Sequence, residues 1–183
     1  MSIVTKKGDL GGTALMYNRK VSKCDSRVEA YGAVDELNAA LGLARASTHY
    51  EFVKDTLVSI QKDLVVLMGE LATASEDLPR YAKDGFSLLN SASTSNLEAA
   101  VKTIEAQDVS FNGWATPGAN LASATLDVAR TVCRRAERRV CQLQLANQLT
   151  NAEIIIYLNR LSDLLWLMAR WVESQTEAVK ELL

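Results

Sequence analysis

Histidine is almost missing from this 183-residue sequence, His49 being the only one. No zinc-type spacing, no His–Asp triad and no histidine-containing di-iron helix pair can be recognised, which removes several enzyme classes at once. Cysteine is scarce as well. Cys24, Cys133 and Cys141 make no disulfide framework, since the last two lie roughly 12 Å apart along one helical pattern, beyond bridging distance. Proline occurs only at positions 79 and 117, and no apolar run approaches a membrane span. The opening Met1-Ser2-Ile3-Val4 lacks a signal-peptide core, so a cytoplasmic chain without membrane contact is expected. Nor is there a surplus of positive charge: 20 basic against 22 acidic residues give a net charge of −2. A nucleic-acid partner is therefore not expected, and any anion site must be local.

What the sequence does contain is helical periodicity. A helix from Asp25 or Ser26 to about residue 46 carries the seam Ala30, Val34, Leu37, Leu41 and Ala44, with Tyr31, Asp35, Asn38 and Gly42 on a second face. A second helix, about 51–73, carries Leu57, Ile60, Leu64, Leu67 and Leu71. Residues 74–90 form the longest connection and the candidate for mobility. A shorter helix is expected over about 94–106. The central helix, about 119–148, follows the turn at Pro117-Gly118, and its expected apolar arc is Leu121, Thr125, Val128, Val132, Ala136 and Leu143. The last helix, about 152–180, repeats Ile154, Leu158, Leu161, Leu165, Met168 and Val172, with Asn159, Asp163, Trp166 and Arg170 on another face. A monomeric bundle needs one buried face per helix, so these second faces are expected to meet a ligand or another subunit. The fold class is all-α: a five-helix bundle in a single domain spanning 1–183, with an irregular N-terminal segment.

Two stretches carry chemistry. Thr5-Lys6-Lys7-Gly8-Asp9-Leu10-Gly11-Gly12-Thr13 concentrates glycines, hydroxyls and lysines, a composition that lets backbone N–H groups approach an anion; it equally describes a plain turn. On the central helix Arg130, Arg134 and Arg138 recur at i, i+4 and i+8, with Asp127 and Glu137 nearby. Such a row suits polyphosphate, because guanidinium forks match phosphate oxygens; it also describes a solvated face laced with ion pairs. Arg139 points toward the apolar arc, where its stem would have to snorkel.

Taken together, the N-terminal glycine stretch followed by Arg27-Val28-Glu29-Ala30-Tyr31-Gly32-Ala33-Val34-Asp35-Glu36-Leu37-Asn38, then Arg130-Thr131-Val132-Cys133-Arg134-Arg135-Ala136-Glu137-Arg138, then Tyr157-Leu158-Asn159-Arg160-Leu161-Ser162-Asp163, resembles the PduO-type ATP:cob(I)alamin adenosyltransferases. The resemblance implies a homotrimer with active sites at subunit interfaces. It implies transfer of the 5′-deoxyadenosyl group of ATP to cob(I)alamin, with cobalamin, ATP and Mg2+ as the small molecules involved. Thr5, Gly8, Asp9, Gly12 and Thr13 match its nucleotide-binding motif, joined by Lys6 and Lys23; Arg134, Glu137 and Asn159 complete the implied ATP set. Asp35, Arg130 and Arg134 are the implied catalytic residues, Asp35 pairing with Arg130 across the interface. No residue is assigned as a metal ligand. Trp114, three residues before Pro117, holds the place where the family usually has a corrin-facing phenylalanine, with Phe111 as the alternative wall. Asn18 replaces a common glycine, a change that asparagine's tolerance of left-handed backbone makes mild. Hand-off to a reductase and to an adenosylcobalamin-dependent enzyme is implied too. Two other readings stay open: a catalytically weak relative that binds and delivers ATP or adenosylcobalamin, and a structural bundle whose charged faces dock a partner.

Overall fold

The computed structural model of the chain describes residues 4, 6, 8–107, 109 and 115–181, with backbone alone for 176–181. The N-terminal segment precedes the bundle and includes one short hairpin: β1 (Gly12–Ala14) pairs antiparallel with β2 (Lys20–Ser22), Thr13 opposite Val21. Between the strands a tight turn places Tyr17 and Asn18 both at φ +60°, so Asn18 occupies the left-handed backbone its residue type tolerates. Among the described residues six helices follow: α1 (Ser26–Ser47), α2 (Glu51–Leu71), α3 (Leu78–Lys83), α4 (Ser91–Glu105), α5 (Leu121–Leu145) and α6 (Glu153–Glu181). Five are the long helices of the sequence pattern and α3 is a short addition. None of the described helices is long and apolar enough to cross a membrane.

Local chemistry sets the helix starts. Asp25 accepts from the Arg27 N–H at 2.8 Å, and Asn120 opens α5 with a reciprocal box in which its side chain takes the Ser123 N–H at 2.9 Å. The α1, α2 and α6 seams pack as their spacing predicts, every seam residue being at most 1% exposed. On α5 the expected arc is displaced. Leu121 and Val128 are exposed, at 69% and 52%, whereas Leu126, Ala129, Cys133, Ala136, Val140 and Leu143 are fully buried. Both α1 and α6 pack along α5, so its buried stripe faces two neighbours, and small residues at 129, 133 and 136 let them approach closely. A single-arc wheel centres that stripe wrongly.

The 74–90 connection also differs from expectation. It holds a 3₁₀ turn (Ser75–Asp77) and α3, and Tyr81 is buried, its ring stacked on Phe86 at 4.6 Å. The Tyr81 hydroxyl sits over Gly69, where a Cβ would lie 2.4 Å from it, so that glycine is required by close approach. Buried Arg27 ties this region to the bundle. Its guanidinium donates to Leu71 O at 3.0 Å, to Gln148 O at 2.5 Å and to Ser75 Oγ at 3.3 Å. It thereby satisfies carbonyls at the end of α2 and beyond the end of α5. Burial pushes its pKa below the ordinary arginine value, opposed by Asp25 and Glu76. This arginine of the α1 motif is structural.

Candidate functional site

The hairpin and α1 frame two hollows that share Thr13 and Lys23. One, of about 440 Å³, is lined by Gly8, Gly12, Thr13, Asn18, Lys20 and Lys23. The other, of about 500 Å³, runs between α1 and α5 past Gly32, Glu36, Arg135 and Arg139. The glycine loop folds tightly here: Gly11 takes φ +78°, its N–H donates to Gly8 O, and its carbonyl accepts the Lys23 N–H at 2.9 Å. A Cβ on Gly8 would press against the end of the Lys23 side chain at 3.1 Å. Glycine backbone, Thr13 and the two lysines Lys20 and Lys23 thus line one concave surface, a composition suited to an anion.

The hairpin is held from behind by the 72–84 segment that includes the 3₁₀ turn and α3. Arg19 donates to Asp77 at 2.9 Å and pairs with Glu76 at 3.0 Å; the Tyr17 hydroxyl donates to Asp84 at 2.9 Å, and the Arg80 guanidinium lies 4.1 Å from the Tyr17 ring centroid. The Met16 N–H donates to Ala72 O at 2.9 Å. These contacts hold Tyr17 in a left-handed conformation that a bulky residue seldom adopts. The segment expected to be a bare connection is the hairpin's anchor.

The structure divides the predicted residues into two groups. Gly8, Gly12, Thr13 and Lys23 meet in the hairpin hollow, and Lys6 and Asp9 are exposed. Asp35, Arg134 and Asn159 are exposed on α1, α5 and α6, and Glu137 is half-buried. The Cys133 thiol donates to Leu158 O at 3.3 Å, which sets the 133–137 turn of α5 beside the 158–163 turn of α6. Arg134, Glu137, Asn159 and Asp163 therefore occupy adjoining turns. Cys133 is buried and its thiol is pushed well above the ordinary range by desolvation, so it is no nucleophile. Arg130 is bound through its Nε to Asp127 Oδ1 at 3.4 Å, and among the described residues no contact joins it to Asp35. Thr5, Phe111 and Trp114 lie outside the described residues.

Two features were missed in the sequence. Arg135 and Arg139 line the α1–α5 groove, where they pair with Glu36 and Glu29, the latter at 3.8 Å. Arg139 needs no snorkelling into the core, because α1 presents a carboxylate to it. Their i, i+4 spacing opposite two α1 glutamates was the available signal. Arg170, expected to face a ligand or subunit, is instead buried against Asp127 at 2.7 Å. A charge immediately flanked by Ala169 and Trp171 in the apolar part of α6 was the clue.

An all-α bundle with a glycine-hairpin anion cradle beside an arginine-bearing central helix is the class of protein these features define. The family model for cobalamin adenosyltransferase matches residues 3–172, and the chain belongs to that family. It is 40% identical to a corrinoid adenosyltransferase of Citrobacter freundii over 94% of this chain and 95% of that protein. It is 38% identical to the corrinoid adenosyltransferase PduO of Salmonella typhimurium over its whole length. The chain spans about half the length of the curated PduO relatives it matches, 54% of the Salmonella protein and 49% of one from Citrobacter freundii. Among solved structures, a variant PduO-type ATP:corrinoid adenosyltransferase from Lactobacillus reuteri, complexed with cobalamin and ATP, superposes with a TM-score of 0.86 at 31% identity, covering 96% of this chain and 93% of that one. Another variant of that enzyme, complexed with ATP, gives 0.85 at 30% identity over 96% of each chain.

Proposed function

We propose that this chain, acting as one domain in the cytoplasm, transfers the 5′-deoxyadenosyl group of ATP to cob(I)alamin. The cobalt(I) of the substrate attacks the 5′ carbon, the carbon–oxygen bond breaks, and triphosphate departs. The substrate is itself the nucleophile, so the protein requires no activated Ser, Cys or His, in keeping with a chain that has one histidine. Its work is to orient the two substrates and to stabilise the leaving triphosphate.

The observation that carries the reading is the division of the ATP set. The hairpin hollow gathers Gly8, Gly12, Thr13 and Lys23, while Arg134, Glu137 and Asn159 lie on adjoining outward turns of α5 and α6. Two sets of ligands for one nucleotide, one in the hairpin hollow and one on outward turns of α5 and α6, act together when one chain's hairpin faces another chain's α5. That supports a homotrimer with interfacial sites, in which exposed Asp35 meets Arg130 of a neighbouring copy. Thr5, Lys6 and Asp9 extend the cradle, and Trp114 or Phe111 forms the apolar wall that keeps water and the lower ligand off cobalt. Mg2+ would be held chiefly by triphosphate oxygens, neutralising charge there. Product passes to an adenosylcobalamin-dependent enzyme, and a reductase supplies the one electron that converts cobalt(II) to the attacking cobalt(I).

Anaerobic incubation of the purified chain with chemically reduced cob(I)alamin and ATP tests the proposal. A light-sensitive alkylcobalamin spectrum with stoichiometric triphosphate is expected. Tight ATP binding with no cobalt–carbon product would replace this reading with that of a carrier.

A further inference from the structure

Asp127 is 4% exposed and Arg170 6% exposed, and neither is touched by the argument for ATP or corrinoid. Arg170 Nη2 donates to Asp127 Oδ2 at 2.7 Å and to Glu173 Oε1 at 3.0 Å. Its Nε lies 2.8 Å from Glu173 Oε2, an ion-pair distance that is out of line for a hydrogen bond. The Trp166 ring stands 5.8 Å from the guanidinium carbon. A buried pair of this kind is a weak source of stability, since two apolar side chains of similar volume serve a core as well. The arrangement has a second end, however. The other carboxylate oxygen of Asp127, Oδ1, accepts from Arg130 Nε, one helical turn along α5 and only 28% exposed. Held by its Nε edge, Arg130 keeps both Nη groups without a partner among the described residues.

We infer that Asp127 and Arg170 are positioning residues for Arg130. The core arginine of α6 fixes the carboxylate, and the carboxylate turns the Arg130 guanidinium so that its Nη fork is presented outward, ready-oriented for a carboxylate on another surface. The inference rests on the reading above, in which that carboxylate is Asp35 of a neighbouring copy. It adds a link that starts in the hydrophobic core of α6 and ends at the interface, and it explains why a charge is kept between Ala169 and Trp171.

The test is a mutant cycle on the full chain with D127N, R130A and the double variant. Each is measured for kcat, for the Michaelis constants of ATP and cob(I)alamin, for melting temperature, and for assembly by sedimentation velocity. D127N should lower kcat by roughly ten- to a hundredfold, the scale of a misplaced site group. Combined with R130A it should add less than about twofold, because both act through one side chain. A D127N loss that recurs in full on the R130A background overturns the inference, and so does a lowered melting temperature with kcat and both Michaelis constants unchanged. If D127N does not fold, R170Q leaves Asp127 present but unfixed, and the same cycle is run with it. A wild type that forms no alkylcobalamin sinks the functional reading instead, and the cycle is then judged on assembly, with the same non-additivity expected.

Discussion

The two ends of α5 use the same residue types in opposite ways. In its first three turns the acidic charge faces inward: Asp127 is buried between Arg130 and Arg170, so the carboxylate is fixed by electrostatics within one chain. From Arg134 to Arg139 the charges face outward. Arg134 and Arg138 are exposed, and Arg135 and Arg139 form ion pairs with half-exposed glutamates of α1. Burial multiplies both the desolvation cost of a charge and the strength of its pairing, whereas solvent screens the exposed pairs to small values. The inner end therefore carries geometry, and the outer end is free to carry ligand.

The largest expected effect breaks the inner end. Arg170→Met leaves the Asp127 carboxylate buried with only the 3.4 Å contact to Arg130 and should cost about 3–5 kcal/mol, measured by urea unfolding. Adding Asp127→Leu should recover much of that loss, because the uncompensated charge disappears. Adenosyl transfer should not recover with it. A double variant that regains both stability and turnover would mean that the inner end has no bearing on the site.

Next is the outer end. Arg134→Ala should leave unfolding unchanged within about 0.5 kcal/mol, as surface substitutions do. It should raise the Michaelis constant for ATP by roughly ten- to a hundredfold, the worth of a charge-assisted contact of about 1.5–3 kcal/mol. Arg134→Lys should fall between, since it keeps the charge and loses the fork. Unaltered ATP kinetics in Arg134→Ala would remove the outer arginine row from the nucleotide site.

A buried carboxylate without a cation sharpens the contrast. Glu70 is 4% exposed, and burial raises its pKa, while hydrogen bonds from the Leu89 N–H and the Asn151 side chain lower it. The folded chain thus holds this proton more tightly than the unfolded chain does. Stability contributed by the neutral acid is complete below the unfolded value of about 4.3 and is lost as pH rises through the raised folded value. Glu70→Gln removes that slope, so urea midpoints should favour the variant more at pH 7.5 than at pH 4. An equal difference at both pH values would show that Glu70 titrates normally.

The same division explains what was legible in the sequence. The α1, α2 and α6 seams were readable because each of these helices turns one stripe to the core, the case a helical wheel describes. Asp25 as a cap and Asn18 in left-handed backbone were readable because local sterics decide them. The α5 arc was misplaced, since two neighbours widen its stripe and burial of Ala129 and Cys133 depends on what lies across from them. The hairpin and α3 went unseen for a related reason. Strands of three residues carry no period, and the contacts that fix Tyr17 and Arg19 come from residues about sixty positions away. Among candidate site residues, the glycine stretch and Arg134 stood out by motif, but Arg135 and Arg139 did not, because their placement depends on facing Glu36 and Glu29 across a groove. Arg170 was assigned to the outer group because a wheel shows angle and not depth.

The smallest expected effect concerns that groove. Glu36 and Arg135 form an exposed pair, their side chains 56% and 45% accessible, so the bond between them is worth less than about 1 kcal/mol and is screened by salt. Its functional consequence differs from its energetic one. The groove joins the hairpin hollow at Thr13 and Lys23, so a carboxylate there opposes an incoming polyphosphate and occupies a guanidinium. Glu36→Gln removes the negative charge and frees Arg135. At low ionic strength ATP should then bind a fewfold more tightly by calorimetry, with the gain fading as salt is raised toward 0.5 M and the Debye length shortens to a few ångströms. Arg135→Ala should move affinity the other way by a similar factor, and neither variant should shift the unfolding midpoint appreciably. If Glu36→Gln weakens ATP instead, the glutamate is required to aim Arg135, and the groove resembles the inner end of α5 more than the outer.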